Sequence, residues 1–370
     1  MIKKINYYLA KLFLKNFLLV VFGFSIMFFL INILDVFEKI KDENFKIFLV
    51  FLLAILKVPQ AITSIIVSAV LISAIITFYQ LSIRSELTII RSCGYSIWKI
   101  STPIFVTSFF LGIFWITIFN LIEIKCSKKF YEIENEYLKL DMIEDFESSS
   151  GVWFRQKNLI KNDEDIIIFA RKIFKNSAKF SNVSLWFFDS HNSLYQRIDA
   201  DSMFLDYDKW IIQKAVINDN NLINFEIENI KIFTDLKEDF IRKKIINNFD
   251  SAQFFSIFEL PKLIDEIESS GLNSRKFKVY LNSQLNLVIM FISMVFFACY
   301  FGIVNIRNRR GRVMVFIGII FGLMVYITSS ISITLGASGI ISIFEATWLV
   351  SLFYVSIGIL LFYRKENFGS

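Results

Sequence analysis

Residues Ser85 to Ile100, SELTIIRSCGYSIWKI, interrupt two of the most apolar segments of the chain, and their reading decides how the molecule threads a bilayer. Ser85 stands at a helix N-cap position, Glu86 in the first turn where a carboxylate meets the helix dipole favourably, and Gly94 where a left-handed C-terminal residue belongs. This pattern predicts a helix of about two turns over residues 85–94. Isolated helices below roughly 12 to 15 residues are marginal in water, so something must hold it. Leu87, Ile90 and Arg91 share one face, and Glu86, Ile89, Ile90 and Cys93 share another. Two readings fit: a connector resting on its own membrane, or a coupling helix that inserts into a groove on a cytoplasmic motor subunit, with Glu86 accepting hydrogen bonds.

The segments on either side place the chain in a membrane. Of 370 residues, 55% are hydrophobic, 17% aromatic and only 20% charged, too apolar a balance for a soluble protein of this length. A spanning helix needs roughly 20 apolar residues. Six segments qualify: Phe17 to Asp35, Ile47 to Gln80, Ile100 to Ile122, Leu285 to Val304, Val313 to Leu335 and Ala346 to Tyr363. Lys57, Pro59 and Gln60 interrupt the second, which predicts a kink with the strict span starting near Ala61. The start, MIKKINYYLAKLFLKN, spreads Lys3, Lys4, Lys11 and Lys15 among apolar residues and has no small-residue cleavage site. It reads as an interfacial helix, not a signal peptide.

Short loops set the orientation. With a cytoplasmic N-terminus, the inner pieces are the lysine-bearing start, the loop with Arg84 and Arg91, the loop with Arg307, Arg309, Arg310 and Arg312, and the tail with Arg364 and Lys365. That arrangement obeys the positive-inside rule. SELTIIRSCGYSIWKI is then cytoplasmic, both termini are cytoplasmic, and residues 125–282 lie outside.

The external interval reads as all-β. IIIFARKIF, VSLWFFD, LYQRID, SMFLDY, WIIQKAVIN and NFEIENIKIFT are β-branched and aromatic runs separated by turn signals such as DSHN, DYDK and NDNN. They predict a β-meander forming a sandwich or a jellyroll, which either packs its own core or carries an amphipathic ligand. After it, ELPKLIDEIESSGLNS predicts a short helix with Pro261 near its start, Leu263, Ile264 and Ile267 on one face, and Gly271 as its stop. The expected organisation is therefore a membrane α-helical fold with an all-β domain inserted between helices 3 and 4. Its parts are 1–124 with three spans, 125–282 with the β domain, and 283–370 with three more.

The chemistry is sparse. None of the 13 glycines precedes a lysine, so no phosphate-binding loop exists and ATP hydrolysis by that route is excluded. There is no GxSxG and no HExxH, His191 sits in a turn-like stretch, and Cys93, Cys126 and Cys299 lack metal or disulfide spacing. No cofactor is expected in this chain. Ionisable groups gather near the outer span boundaries: Asp35, Glu38, Lys39, Lys41, Lys57, Glu123, Lys125 and Glu345. Snorkelling accounts for most of them; the sharper reading is that Lys39, Lys41, Lys57 and Lys125, with Asp35, ring an entrance for an anionic lipid headgroup.

Several stretches together resemble a known family, the lipopolysaccharide transport permeases LptF and LptG. They are YYLAKLFLKNFLLV, LINILDVFEKI, SELTIIRSCGYSIWKI, SSGVWFRQ and FELPKLIDEIESSGLNSRKFKVYLNSQLN, with a basic loop before two closing spans. SEL…R…G and IESSGLNSRKFKV are the specific ones, and the wording is closer to LptG than to LptF. The resemblance implies a Gram-negative inner-membrane ABC transporter. In it a second, LptF-like permease pairs around a central cavity and two copies of an LptB-like ATPase bind below. Lipopolysaccharide then passes through a periplasmic β-jellyroll to LptC-like and LptA-like proteins. It also implies that Glu86, with Leu87, Ile90, Arg91 and Gly94 beside it, contacts the ATPase, which binds the ATP, and that the first and fifth spans gate the cavity. Asn32 and Glu38 stand where members of the family can carry basic residues. Two competing readings stay open: a membrane-anchored sensor or adaptor, and a permease of the lipoprotein-release type, whose large external domain would follow the first span.

Overall fold

The computed structural model describes residues 2–39, 47–137, 146–157, 165–174, 179–189, 193–206, 209–219, 222–233, 252–269, 273–303 and 309–368. They divide into two compact units: Met1–Glu134, Phe255–Phe258 and Arg275–Ser370 form the first, and Asn135–Phe254 with Glu259–Ser274 the second.

The first unit holds six helices long and apolar enough to cross a membrane. The first span is one helix, Ile2–Lys39, so the lysine-bearing start forms its opening turns, not a separate element. The second, Ile47–Ile83, keeps Pro59 inside it. The third runs Ile97–Phe114, continues as a π-helix over Trp115–Phe119 and resumes over Asn120–Tyr137. It therefore passes well beyond Ile122, and a domain limit at residue 125 falls inside it. The fourth span, Arg275–Gly302, likewise begins before residue 283. The fifth is Arg309–Ser338, and the sixth is a π-helix over Glu345–Leu349 followed by Val350–Phe368.

Close backbone approach packs the centre of this unit. A Cβ on Gly302 would lie 2.9 Å from Phe78 Cβ and 3.3 Å from the Ile75 backbone, so the fourth span meets the second where no side chain fits between. Gly318 and Gly322, four residues apart on the fifth span, face the side-chain ends of Ile75 and Leu71 of the second, at 2.7 and 3.2 Å from where a Cβ would stand. Ser68 adds a 2.7 Å bond from Oγ to the Gly322 carbonyl. Polar side chains tie other pairs: Asn16 Nδ2 donates to Thr77 Oγ1 at 3.0 Å and Gln80 Oε1 at 3.2 Å, and Asn286 Nδ2 to the Thr347 carbonyl at 2.8 Å. The Arg275 guanidinium closes the end of the fifth span by donating to the carbonyls of Gly336 and Ile341.

The second unit contains a six-stranded antiparallel sheet in sequential order, β1 (Phe146–Lys157), β2 (Asp165–Phe174), β3 (Lys179–Phe188), β4 (Leu194–Asp206), β5 (Lys209–Asp219) and β6 (Leu222–Phe233). The expected meander is present, with two differences: LYQRID and SMFLDY are one strand, in which Ala200 and Ser202 keep their partners on both sides while Asp201 between them is skipped, and β1 precedes the first of the expected runs. Apolar side chains fill one face, including Ile166, Ile168, Phe180, Val183, Ile198, Met203, Trp210 and Ile212. Strict alternation slips by one residue along a line crossing the strands. Buried positions jump from Phe180 to Val183, from Ala200 to Met203 and from Ile212 to Ala215. Asn182 (φ 52°) and Lys214 (φ 50°) sit in left-handed conformations on that line. Such a row of irregular residues bends a sheet. Consistent with a concave face, Phe180 and Trp210 meet edge-on at 5.5 Å although β4 lies between their strands. The helix expected after the sheet spans Leu260–Ser269, with Ile264 and Ile267 buried and Leu263 half-buried; Gly271, like His191, lies outside the described residues.

Candidate functional site

The short helix between the second and third spans covers Glu86–Ser92. Its start differs from expectation. Ser85 is left-handed (φ 58°), makes no side-chain cap, and donates its N–H to the Ser82 carbonyl at 3.2 Å. It thus ends the second span, and a residue turned to close one helix cannot also aim its hydroxyl at the first turn of the next. The end is as expected: Gly94 has φ 85° and donates to the Arg91 carbonyl at 2.9 Å.

The two faces of this helix have different surroundings. Leu87 is buried in a cluster that also holds Leu9 and Phe13 of the first span, and Ile90 is half-buried against it. Glu86 is engaged within the chain: the Tyr8 hydroxyl donates to Oε2 at 2.9 Å, and Arg84 Nη1 lies 3.9 Å from Oε1. Arg91, half-buried, stands close enough to Lys365 of the sixth span to act on its charge. Thr88, Ser92, Cys93 and Gly94 are exposed, and Ile89 is exposed by 60%. Of the apolar residues expected to fill a partner's groove, Leu87 therefore faces home, and Ile89 is the one that faces away. Periodicity placed Ile89 beside Glu86 and Cys93 but carried no information on which side faced the bundle.

At the other end of the second span, Lys57 Nζ pairs with Asp35 Oδ2 at 3.1 Å, both partly exposed. Lys125 is exposed on the extended third helix. The Lys39 side chain and all of Lys41 lie outside the described residues. Asn32 is buried, with its amide 3.4 Å from the Ala54 carbonyl. The structure thus brings Asp35 and Lys57 together as an ion pair and places Lys125 on a separate helix. Two ionisable residues expected to snorkel do otherwise. Glu345 forms a reciprocal cap with Ser342, accepting from its N–H at 2.9 Å while donating its own N–H to the hydroxyl at 3.2 Å. Glu123 is buried, and Thr63 Oγ1 donates to it at 2.9 Å.

The first and fifth spans carry long uncovered apolar stripes. Leu18, Phe22, Ile26, Leu30 and Leu34 recur every fourth residue on one, and Val313, Phe316, Ile320, Leu323, Ile327 and Ile331 line the other. Such stripes meet either lipid or another protein.

The sequence model described as lipopolysaccharide export system permease LptF/LptG matches residues 7–364. Among curated proteins, none matches.

Proposed function

The chain belongs to the lipopolysaccharide export system permease family LptF/LptG, and from that premise we propose that it is one permease half of an ATP-driven transporter that lifts lipopolysaccharide out of the inner membrane. Its ATP is bound and hydrolysed by a separate LptB-like dimer docked on the short helix. A second permease faces the uncovered stripes of the first and fifth spans, which gate the cavity between them. The concave apolar face of the sheet, as the floor of a periplasmic jellyroll, receives the acyl chains and hands them to LptC-like and LptA-like proteins. Lys39, Lys41 and Lys125 contribute positive charge toward the headgroup, and Lys57 joins them when it leaves Asp35. The N- and C-termini are cytoplasmic in this reading, which follows the distribution of basic loops.

The observation that carries the motor contact is the two-sided short helix: one side packed into the bundle, the other presenting an uncovered isoleucine. A partner that grips Ile89 moves the bundle through Leu87. Replacing Ile89 with Asp should leave the melting temperature of the chain within a degree or two, because that side chain touches little of its own fold. It should also reduce co-purification of the ATPase at least tenfold. Leu87→Asp should instead destabilise the chain itself. Retained ATPase binding and ATP-dependent lipid release in Ile89→Asp would refute the docking face, and lack of lipopolysaccharide release by the intact complex would refute the transport reading.

A further inference from the structure

One turn beyond the π-helix of the third span lies a carboxyl group shielded from water. Glu123 is 4% exposed. Its hydrogen-bond donor is Thr63 of the second span, and among the described residues no lysine or arginine pairs with it. Asn120, three residues earlier and on the same helical face, is 3% exposed, yet neither Nδ2 nor Oδ1 completes a hydrogen bond. From the fourth span, the buried Tyr280 hydroxyl lies in the field of Glu123 and within reach of only weak hydrogen bonds to the Asn120 and Gln284 side chains, none of ordinary geometry. Under-satisfied polar groups on two helices thus gather around one carboxyl that a third helix touches.

Interiors rarely leave so many polar atoms open, and where they do the usual reason is ordered water or an ion. An ionised carboxylate with a single neutral donor is also strongly unfavourable in a site closed to water. We propose that Thr63, Asn120, Glu123 and Tyr280 bind one positive charge inside the bundle, delivered as a proton or as an alkali cation with ordered water. The available acceptors are hard oxygens: the carboxylate, the Thr63 and Tyr280 hydroxyls and the Asn120 carbonyl. That set suits a proton or an alkali ion and lacks the imidazole and thiolate groups of transition-metal sites. Tyr280 is the ionisable neighbour from the fourth span. On the second span Lys57 is occupied by Asp35. On the third, Lys125 points to solvent. Holding this charge keeps the second, third and fourth spans together without a buried ion pair, and it is independent of the transported substrate.

Infrared spectra and melting curves of the full chain in its native complex test this, with sodium, potassium or choline as the added cation. A bound proton gives a protonated-carboxyl band at neutral pH that disappears in Glu123→Gln. A bound alkali ion gives a melting temperature several degrees higher in sodium or potassium than in choline. Glu123→Gln abolishes that difference, and Asn120→Ala raises the cation concentration required about tenfold. If Glu123→Gln fails to assemble, the wild-type band and cation series decide alone. An ionised wild-type Glu123 together with melting that ignores the added cation overturns the site, leaving water as its occupant.

Discussion

The second and fourth spans are comparable in apolarity to the first and fifth, yet 61% and 67% of their most apolar stretches are buried against 17% for each of the others. Hydropathy measures fitness for a bilayer and is blind to whether the neighbour is lipid or helix. What separates the two pairs is how much of each helix is covered: the second and fourth are packed on most sides, the fifth on one side only. The second span receives Gly302 of the fourth at a distance that leaves no room for a Cβ, and Gly318 and Gly322 of the fifth against the side-chain ends of Ile75 and Leu71. Gly23 of the first span, by contrast, has nothing within 4 Å of where its Cβ would stand. The fifth span has both characters, a glycine side against the second span and an apolar stripe away from it. The bundle thus has a packed centre and two outer apolar faces open to lipid or to another protein.

The largest effect that can break this contrast is expected at Gly302. Leu in its place must displace Phe78 and the Ile75 backbone, and the loss should reach about 3 kcal/mol or more, seen as failure to yield monodisperse protein. Normal melting of Gly302→Leu would mean that the centre is less tightly packed than these distances require. A middle-sized effect is expected where the first span is tied to the second. Asn16→Leu removes the bonds to Thr77 and Gln80 and should lower stability by about 1 kcal/mol, measured by steric-trap or thermal unfolding in bilayer nanodiscs. It should also increase protection differences between the first span and the centre in hydrogen exchange. The smallest effect on the chain's own fold belongs to Gly23→Leu, with a change within about 0.5 kcal/mol. If the first-span stripe meets a second permease, the same substitution should still diminish recovery of that partner in a pull-down.

Much of this was legible in the residues. All six spans lie where apolar length placed them, and the meander follows the period-two runs. The short helix ends at Gly94 as its φ requires. Boundaries were less legible. The third helix continues through polar residues to Tyr137 because Ile124, Phe130 and Ile133 keep a buried stripe beyond the apolar run. Ser85 misled because serine suits both an N-cap and a turn, and the reversal after the second span claimed it. Glu123 misled more seriously, since in sequence it stands beside Lys125 at the edge of a hydrophobic run, where snorkelling is the ordinary outcome.

By itself the sequence determined that this is a six-span membrane protein of the LptF/LptG family carrying an inserted antiparallel sheet. Backbone desolvation demands long apolar helices, and strand alternation demands a period of two, so both are written in one dimension. Only the tertiary structure decided that Leu87 faces home while Ile89 faces away, that Lys57 spends its charge on Asp35, and that Glu123 is buried with Thr63 donating to it and Tyr280 in its field. Periodicity states which residues share a face. Which neighbour that face meets depends on residues tens to hundreds of positions away, and only packing brings them together.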